Sequence, residues 1–202
     1  KTLTVNTSLS TYPVEEFTDY QVYEKELRNL AESGKEFYGE PFTESNTLNI
    51  TFNSPNTVLT NTTKARLDVA ASSTIASSFS LSLDGTQTKT LTVAKKTDGD
   101  HYEKAKAANG LYSFTPTKDM LIFNLTYNKS TATSEGYLNY LEVNTRRQLK
   151  MSGSVMQFQN IDYLGYNSNI EYKLSGAGDN VQIWDITNQQ EIYSIATQKV
   201  DG

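Results

Sequence analysis

The sequence predicts an all-β protein: a jelly-roll-like β-sandwich with a small C-terminal β unit. Three observations predict it. Thirteen Tyr and eight Phe sit among abundant Thr, Ser and Asn, a composition that favours strands and polar turns over helices. Apolar and polar residues alternate in many short runs at regular spacing, divided by polar turns, as in sandwiches of the jelly-roll kind. One such run, Ser78 to Leu83, leads straight into Asp84-Gly85, a pair that tolerates the positive φ values of a tight hairpin. At 202 residues the chain is long enough to bury a core without covalent staples.

Lys1 to Thr11 alternates Leu3 and Val5 with threonines and reads as a first strand. From Val14 the pattern changes. Val14, Phe17, Tyr20, Tyr23, Leu27 and Leu30 recur at three- to four-residue spacing, and Gly34 suits a helix C-terminus. An amphipathic helix and an extended, aromatic-rich strap over a sheet fit residues 14–33 equally. Gly39 then frees φ and Pro41 removes a backbone donor, so a turn or irregular crossing is expected over 35–42.

From Leu48 the strand grammar is plain. Leu48, Ile50 and Phe52 point one way, Asn49 and Thr51 the other, and Ser54-Pro55-Asn56 stops the run. Arg66 to Ala71 is the next strand, and Thr88 to Val93 returns as the partner of Ser78 to Leu83. Lys95 to Asn109, charged and alanine-rich, is expected to be a surface excursion with one helical turn. Leu111 to Phe114 begins another strand, and Met120 to Tyr127 and Tyr137 to Val143 complete the set. In the last, Tyr137, Asn139, Leu141 and Val143 are expected on one face and Leu138, Tyr140 and Glu142 on the other.

Beyond Met151, strands are expected around Val155 to Phe158, Ile170 to Leu174 and Val181 to Ile186, separated by Gly165 and by Gly176-Ala177-Gly178. The domains are thus 1–45, a strand with a strap or short helix packed on the sandwich; 46–150, the sandwich; and 151–202, the small β unit. A unit of about fifty residues buries little surface alone, so it is expected to lean on the sandwich or on chain absent here.

Composition excludes several functions. The formal net charge of −5 is mild and spread along the chain, and without a basic stripe to neutralise a row of phosphates no nucleic acid partner is expected. Apolar runs such as Met120 to Phe123 are too short to span a bilayer. No signal peptide is visible, and the abrupt opening at Lys1 fits a leader removed or a start trimmed. Zero cysteines removes every disulfide, thiolate nucleophile and Cys-based zinc site. Sequons such as Asn49-Ile50-Thr51 and Asn124-Leu125-Thr126 recur by chance in so Asn- and Thr-rich a chain.

The order of the motifs carries a resemblance. Phe37 to Phe42 comes first, then the Asp84-Gly85 hairpin, Tyr137 to Leu141, Met156-Gln157-Phe158-Gln159-Asn160, and Ile183-Trp184-Asp185-Ile186-Thr187. From Tyr23 to Ile195 this series resembles the region ahead of the peptidase domain in gingipain-like sortases of the type IX secretion system of Bacteroidetes. The resemblance implies an extracytoplasmic, outer-membrane-associated or cell-surface cysteine peptidase that removes C-terminal sorting signals from secreted cargo. Its Cys and His pair belongs to a later domain, so residues 151–202 would lead to a missing peptidase domain, and no catalytic, cofactor or metal residue carries over. The implied partners are that peptidase domain, an outer-membrane partner and secreted cargo. Tyr137 to Leu141 is also similar to a core strand of galactose-binding-like jelly rolls, which bears on fold and not on ligands.

Several residues invite chemistry. His101 lies among the carboxylates of Thr97 to Asp100, but a hydrolytic base needs an oriented nucleophile, and the surroundings offer only scattered Ser and Thr. Asp98, Asp100 and Glu103 could offer oxygens to calcium, yet lack the ligand spacing of a dedicated loop; a solvated turn is the expectation. Trp184, the sole tryptophan, could stack on a sugar but is expected to pack between the last unit and the sandwich. Phe37, Tyr38 and Phe42 could form a ligand-facing aromatic surface; a loop clamped onto the sandwich is expected instead. Arg146, Arg147 and Lys150 form a basic knot expected to be a solvated strand edge.

The functional expectation is a non-catalytic structural and interaction module of a sortase-like peptidase. The alternative is a carbohydrate-binding or adhesin module, with Phe37, Tyr38 or Trp184 contacting the glycan. An independent hydrolase using paired carboxylates ranks last, since no pair is marked by spacing.

Overall fold

The computed structural model describes residues 8–30, 34, 36–97, 99–100, 102–163 and 165–200. The protein is all-β and divides into two compact units, residues 18–147 and residues 1–17 with 148–202. The chain passes between them within two long strands, after Phe17 and after Arg147.

The larger unit is a jelly-roll-like sandwich. One sheet runs β2 (Glu16–Glu24), β10 (Glu135–Gln148), β5 (Thr63–Ser72) and β8 (Lys106–Phe114), with short β3 (Pro41–Phe42) also paired to β10. The other runs β4 (Thr47–Asn53), β9 (Met120–Asn128), β6 (Ser77–Leu83) and β7 (Thr86–Val93). Alternation along each strand aims one set of side chains inward. Leu67, Val69, Leu141 and Val143 from the first sheet join Ile50, Leu81, Leu121 and Leu125 from the second in one core.

Aromatic rings fill the wider parts of that core. Phe79 stacks at 4.7 Å from Tyr127 and meets Phe42 edge-on at 5.4 Å, while Phe114 meets Phe123 edge-on at 5.3 Å. These are favourable offset or T-shaped arrangements. Gly136 on β10 makes room for them, since a Cβ there would lie 2.7 Å from both Phe79 Cζ and Tyr127 Cγ.

The hairpin forms where expected: Asp84 and Gly85 have φ of 51° and 73° and join β6 to β7. An irregularity follows, with Leu81 opposite Lys89 but Leu83 opposite Thr86. Gln87, at φ 54°, sits in this bulge, and its side chain exchanges two hydrogen bonds with the Thr115 backbone, at 2.9 Å and 2.8 Å.

The open choice over residues 14–33 falls to the extended alternative, and three local expectations are corrected. Residues 14–33 contain no helix among those described: Glu16–Glu24 is a strand, and Arg28 bridges antiparallel to Tyr38. The period of two was hidden because the alternate positions Asp19 and Gln21, aligned with Phe17 and Tyr23, are polar. Asp19 pairs with Arg147, and Gln21 donates to the Asn53 carbonyl at 3.0 Å. Lys106 to Asn109 are not excursion but the first half of β8, paired from Ala71↔Lys106 onward. Its small residues serve packing: Tyr112 lies over Gly110, where a Cβ would stand 2.6 Å from the phenolic oxygen, and donates to Thr90 O on β7 at 3.2 Å.

In β10 the faces are also reassigned. Leu138 pairs with Val69 but Tyr140 pairs with Asp68, so Asn139 is an extra residue in the ladder. The bulge puts Leu138 with Leu141 and Val143 in the core, and Tyr137 on the opposite face with Tyr38 and Ala70.

The smaller unit has two short sheets. β1 (Thr11–Val14) runs parallel to β11 (Asn169–Tyr172), and β12 (Ile183–Asp185) pairs antiparallel with β13 (Tyr193–Ile195). The strand expected over Lys1 to Thr11 falls largely on residues 1–7, outside the described residues. Val155 to Phe158 forms no strand. Phe158 acts through its side chain instead, its ring 6.4 Å from Phe17 and 5.1 Å from Tyr172, both edge-on, while Val155 is exposed. β13 went unpredicted because three residues are too short a run to show a period.

Candidate functional site

Of the carboxylate loop, Asp98 and His101 lie outside the described residues. Asp100 and Glu103 are engaged locally. Asp100 Oδ1 accepts from the backbone N–H of Tyr102 at 2.8 Å and of Glu103 at 3.2 Å, closing a turn. The Glu103 carboxylate pairs with Lys106 and accepts from Thr97 N–H, and these contacts, Lys106 first, hold its pKa below the ordinary glutamate value. No group of three or more His, Asp or Glu placed to hold a metal occurs among the described residues.

The aromatic loop does not assemble into an open platform. Phe42 is buried in the main core and Tyr38 in the small cluster with Tyr137 and Ala70, leaving Phe37 at the surface. Burial pushes the Tyr38 and Tyr137 hydroxyls well above the ordinary tyrosine range, with Glu36 and Glu135 adding to it.

The basic knot is not a solvated edge, which corrects the expectation for Arg147. Its side chain is 7% exposed: Nε donates to Pro55 O at 2.6 Å, and Nη1 meets Asp19 Oδ2 at 3.0 Å. Asp119 accepts from Asn56 N–H and Thr57 N–H, both at 3.0 Å, fixing the turn that presents the Pro55 carbonyl. The planar guanidinium fork suits such a knot, which ties β2, β10 and the turn after β4 together. Arg146 is half-buried and donates to Thr18 Oγ1, whereas Lys150 is exposed. The signal was present in the sequence, since Val143, Thr145 and Arg147 continue the inward alternation of β10.

Apart from the Tyr38, Ala70 and Tyr137 cluster, the outer faces of the sandwich carry rows of polar side chains bonded to one another. On the first sheet Tyr20 donates to Glu142 at 3.3 Å, and Glu142 accepts from Arg66 at 3.1 Å. Beside this row Asp68 accepts from Asn139 at 3.2 Å; burial lifts its carboxyl above the ordinary aspartate value, with the Asn139 bond acting against it. On the second sheet Thr47 meets Thr126 at 3.2 Å, Asn124 donates to Asn49 at 2.7 Å, and Asn128 donates to Ser80 at 2.8 Å. These cross-strand pairs are chemistry of sheet register.

The β12–β13 hairpin is different. Trp184 is 59% exposed, which corrects its expected role as a packed residue. Register places Trp184 beside Ser194, and continuing it places Ile186 beside Ile192, so these four share one face of a two-stranded sheet. Ile186 and Ile192 are 46% and 49% exposed. An open groove of about 620 Å³ at the hairpin is lined from both of its faces, by Trp184, Ile192 and Ser194 and by Ile183 and Ile195. Asp185 is held below the ordinary aspartate value by hydrogen bonds from Thr187, whose backbone N–H lies 2.9 Å away.

No protein-family model matches the chain, and no curated protein matches it. Among solved structures it is similar to dimeric latent PorU from Porphyromonas gingivalis, with a TM-score of 0.80 and 18% identity. That alignment covers 96% of this chain and 20% of the PorU chain, so the present residues span one fifth of that protein. Carbohydrate-binding modules match less well. The CBM36-1 domain of a multidomain xylanase from the hindgut metagenome of Trinervitermes trinervoides gives a TM-score of 0.42 at 11% identity, covering 68% of this chain and 100% of the module. CBM35 from Cellvibrio japonicus gives 0.37 at 13%, covering 72% and 97%. The PorU likeness shows the fold, a β-sandwich module; the module likenesses are too low to carry a ligand argument.

Proposed function

We propose that this chain is a non-catalytic structural and interaction module of a cell-surface, gingipain-like sortase that trims C-terminal signals from secreted cargo. The observation that carries the reading is the fold shared with PorU over 96% of the chain, in a protein five times as long as the matched region. The ordered motifs from Phe37 to Thr187 support it, and so does a sequence with no thiol to serve as nucleophile. In this reading the sandwich is a rigid support. The peptidase domain is its neighbour in the polypeptide, with an outer-membrane partner and cargo as further contacts.

The test compares purified residues 1–202 with the longest polypeptide encoded in the same reading frame. The isolated chain should fold and leave cargo peptides uncut. The longer polypeptide should carry a Cys and His pair beyond Gly202, cleave C-terminal signals, and lose that processing when residues 1–202 are deleted. Peptide cleavage by residues 1–202 unaided, or a reading frame that encodes no peptidase, refutes the proposal.

A further inference from the structure

β10 and β5 are the middle strands of the first sheet, and their outward positions bring charge, amide and phenol together. Register sets Glu142, Arg66 and Leu111 side by side across β10, β5 and β8, and Tyr140, Asp68 and Asn109 side by side in the next row. Neighbours in a row are about 5 Å apart and the rows about 7 Å apart, so these groups form one patch. Tyr20 of β2 joins the first row through its bond to Glu142. The polar groups are only partly used. Arg66 engages Glu142 through Nε, and Asp68 accepts from Asn139 at Oδ1. Among the described residues, the terminal nitrogens of Arg66, Oδ2 of Asp68, the Tyr140 hydroxyl and the Asn109 side-chain amide have no protein partner.

The layout and charge of the patch narrow what can cover it. A protein-docking surface has an apolar centre ringed by polar groups. Here the order is inverted: the exposed Tyr20 and Leu111 stand on the outer strands β2 and β8, and the centre is polar. Burial raises the pKa of both phenols, and Glu142 and Glu24 add to it, so Glu24 also faces the patch. Glu24, Glu142 and Asp68 outnumber Arg66, which disfavours an anion, while the guanidinium at the centre disfavours a cation. A neutral molecule that both donates and accepts hydrogen bonds, and has C–H edges to lay on an aromatic ring, meets all of these conditions.

We infer that this open face of the first sheet binds a neutral saccharide, whose hydroxyl groups bridge Arg66 and Asp68 while Tyr20 takes its C–H surface. The Tyr140 hydroxyl and the Asn109 amide reach further hydroxyls and fix the orientation of the sugar. Phe37, Tyr38 and Trp184, the aromatics that the sequence offered to a glycan, take no part. The inference goes beyond the module reading and stands whether or not a peptidase domain follows.

The test titrates residues 1–202 with maltohexaose, cellohexaose and mannohexaose as neutral probes, hexagalacturonate as an anion and hexaglucosamine as a cation. Calorimetry gives the affinity, and amide chemical shifts locate the site. At least one neutral probe should bind saturably at millimolar concentration or below, with little dependence on salt, and should move amides of β5 and β10. Arg66→Ala and Asp68→Asn should each weaken that binding about tenfold, the scale of a hydrogen bond to a charged group, with the denaturant midpoint showing that both variants fold. Thr47→Ala, on the outer face of the other sheet, should leave it unchanged. Absence of binding by every neutral probe, equal or tighter binding of a charged one, or binding indifferent to both patch variants overturns the inference. So does a doubled mass at rising concentration with shifts on β5 and β10, which would mean that a second copy covers the face.

Discussion

The sandwich and the smaller unit are made of similar residues but are held in different ways. Among the described residues, twenty-two buried apolar side chains belong to residues 18–147 and three, Val14, Phe17 and Leu149, to the smaller unit. In the sandwich, long ladders aim alternate side chains into a shared interior, so backbone pairing and burial reinforce one another. In the smaller unit the ladders are three or four residues long, and ring contacts such as Phe17 to Phe158 to Tyr172 and Tyr12 to Tyr163 to Tyr166 do much of the holding. Length of pairing, more than composition, decides whether a β unit builds its own core. The smaller unit should therefore be the first to open, and the sandwich should set the global stability.

Phe79→Ala and Phe158→Ala break the comparison at its strongest point. Phe79 is fully buried between Phe42 and Tyr127, so its truncation should cost about 3–5 kcal/mol of global stability in denaturant unfolding. Phe158→Ala should leave the main transition in place while raising amide exchange at residues 169–172. A single transition lowered equally by both changes would mean that the two units unfold as one.

Arg147 comes next in expected effect. Replacing it with Ala leaves Asp19, itself only 15% exposed, without its cation and Pro55 O without its donor. Breaking such a pair should cost about 3 kcal/mol, read as a lowered denaturant midpoint with unchanged slope. Arg147→Lys should recover part of the loss, since the charge returns without the fork. A loss below about 0.5 kcal/mol, the scale of surface substitutions, would mark the knot as solvated after all.

Legibility in the sequence follows the same division. β4, β6, β7 and β9 could be read because apolar residues recur at alternate positions, Leu48, Ile50 and Phe52, Phe79, Leu81 and Leu83, Leu91 and Val93, and Leu121, Phe123, Leu125 and Tyr127, with mostly Ser, Thr or Asn between them. β2 could not, because Asp19 and Gln21 occupy inward positions for the sake of Arg147 and Asn53 O. The Asn139 bulge was invisible because one inserted residue changes every face beyond it without changing the composition. The open Trp184 face was misread for another reason. Alternation marks which residues share a face, but whether that face is covered depends on neighbouring strands, and among the described residues β12 has β13 alone beside it.

The smallest expected effect separates the units by pH, through two aspartates shifted in opposite directions. Asp68, in the sandwich, has a folded pKa raised by burial above its unfolded value. Its ionisation therefore costs stability at neutral pH, and the cost is relieved as pH falls through the raised folded pKa toward the unfolded one. Asp185, in the hairpin, has a folded pKa lowered by Thr187, so it contributes stability that is full above the unfolded pKa and is lost as pH falls through the lowered folded value. Asp68→Asn should then raise the sandwich midpoint slightly at pH 7 and flatten its acid dependence. Asp185→Asn should loosen the hairpin at pH 7, seen as faster exchange at residues 183–195, with an effect that shrinks as pH falls through the lowered folded pKa and protonation removes the carboxylate. Effects of the same sign at both sites would show that one electrostatic environment governs the two units, and the contrast in how they are held would then not extend to their charges.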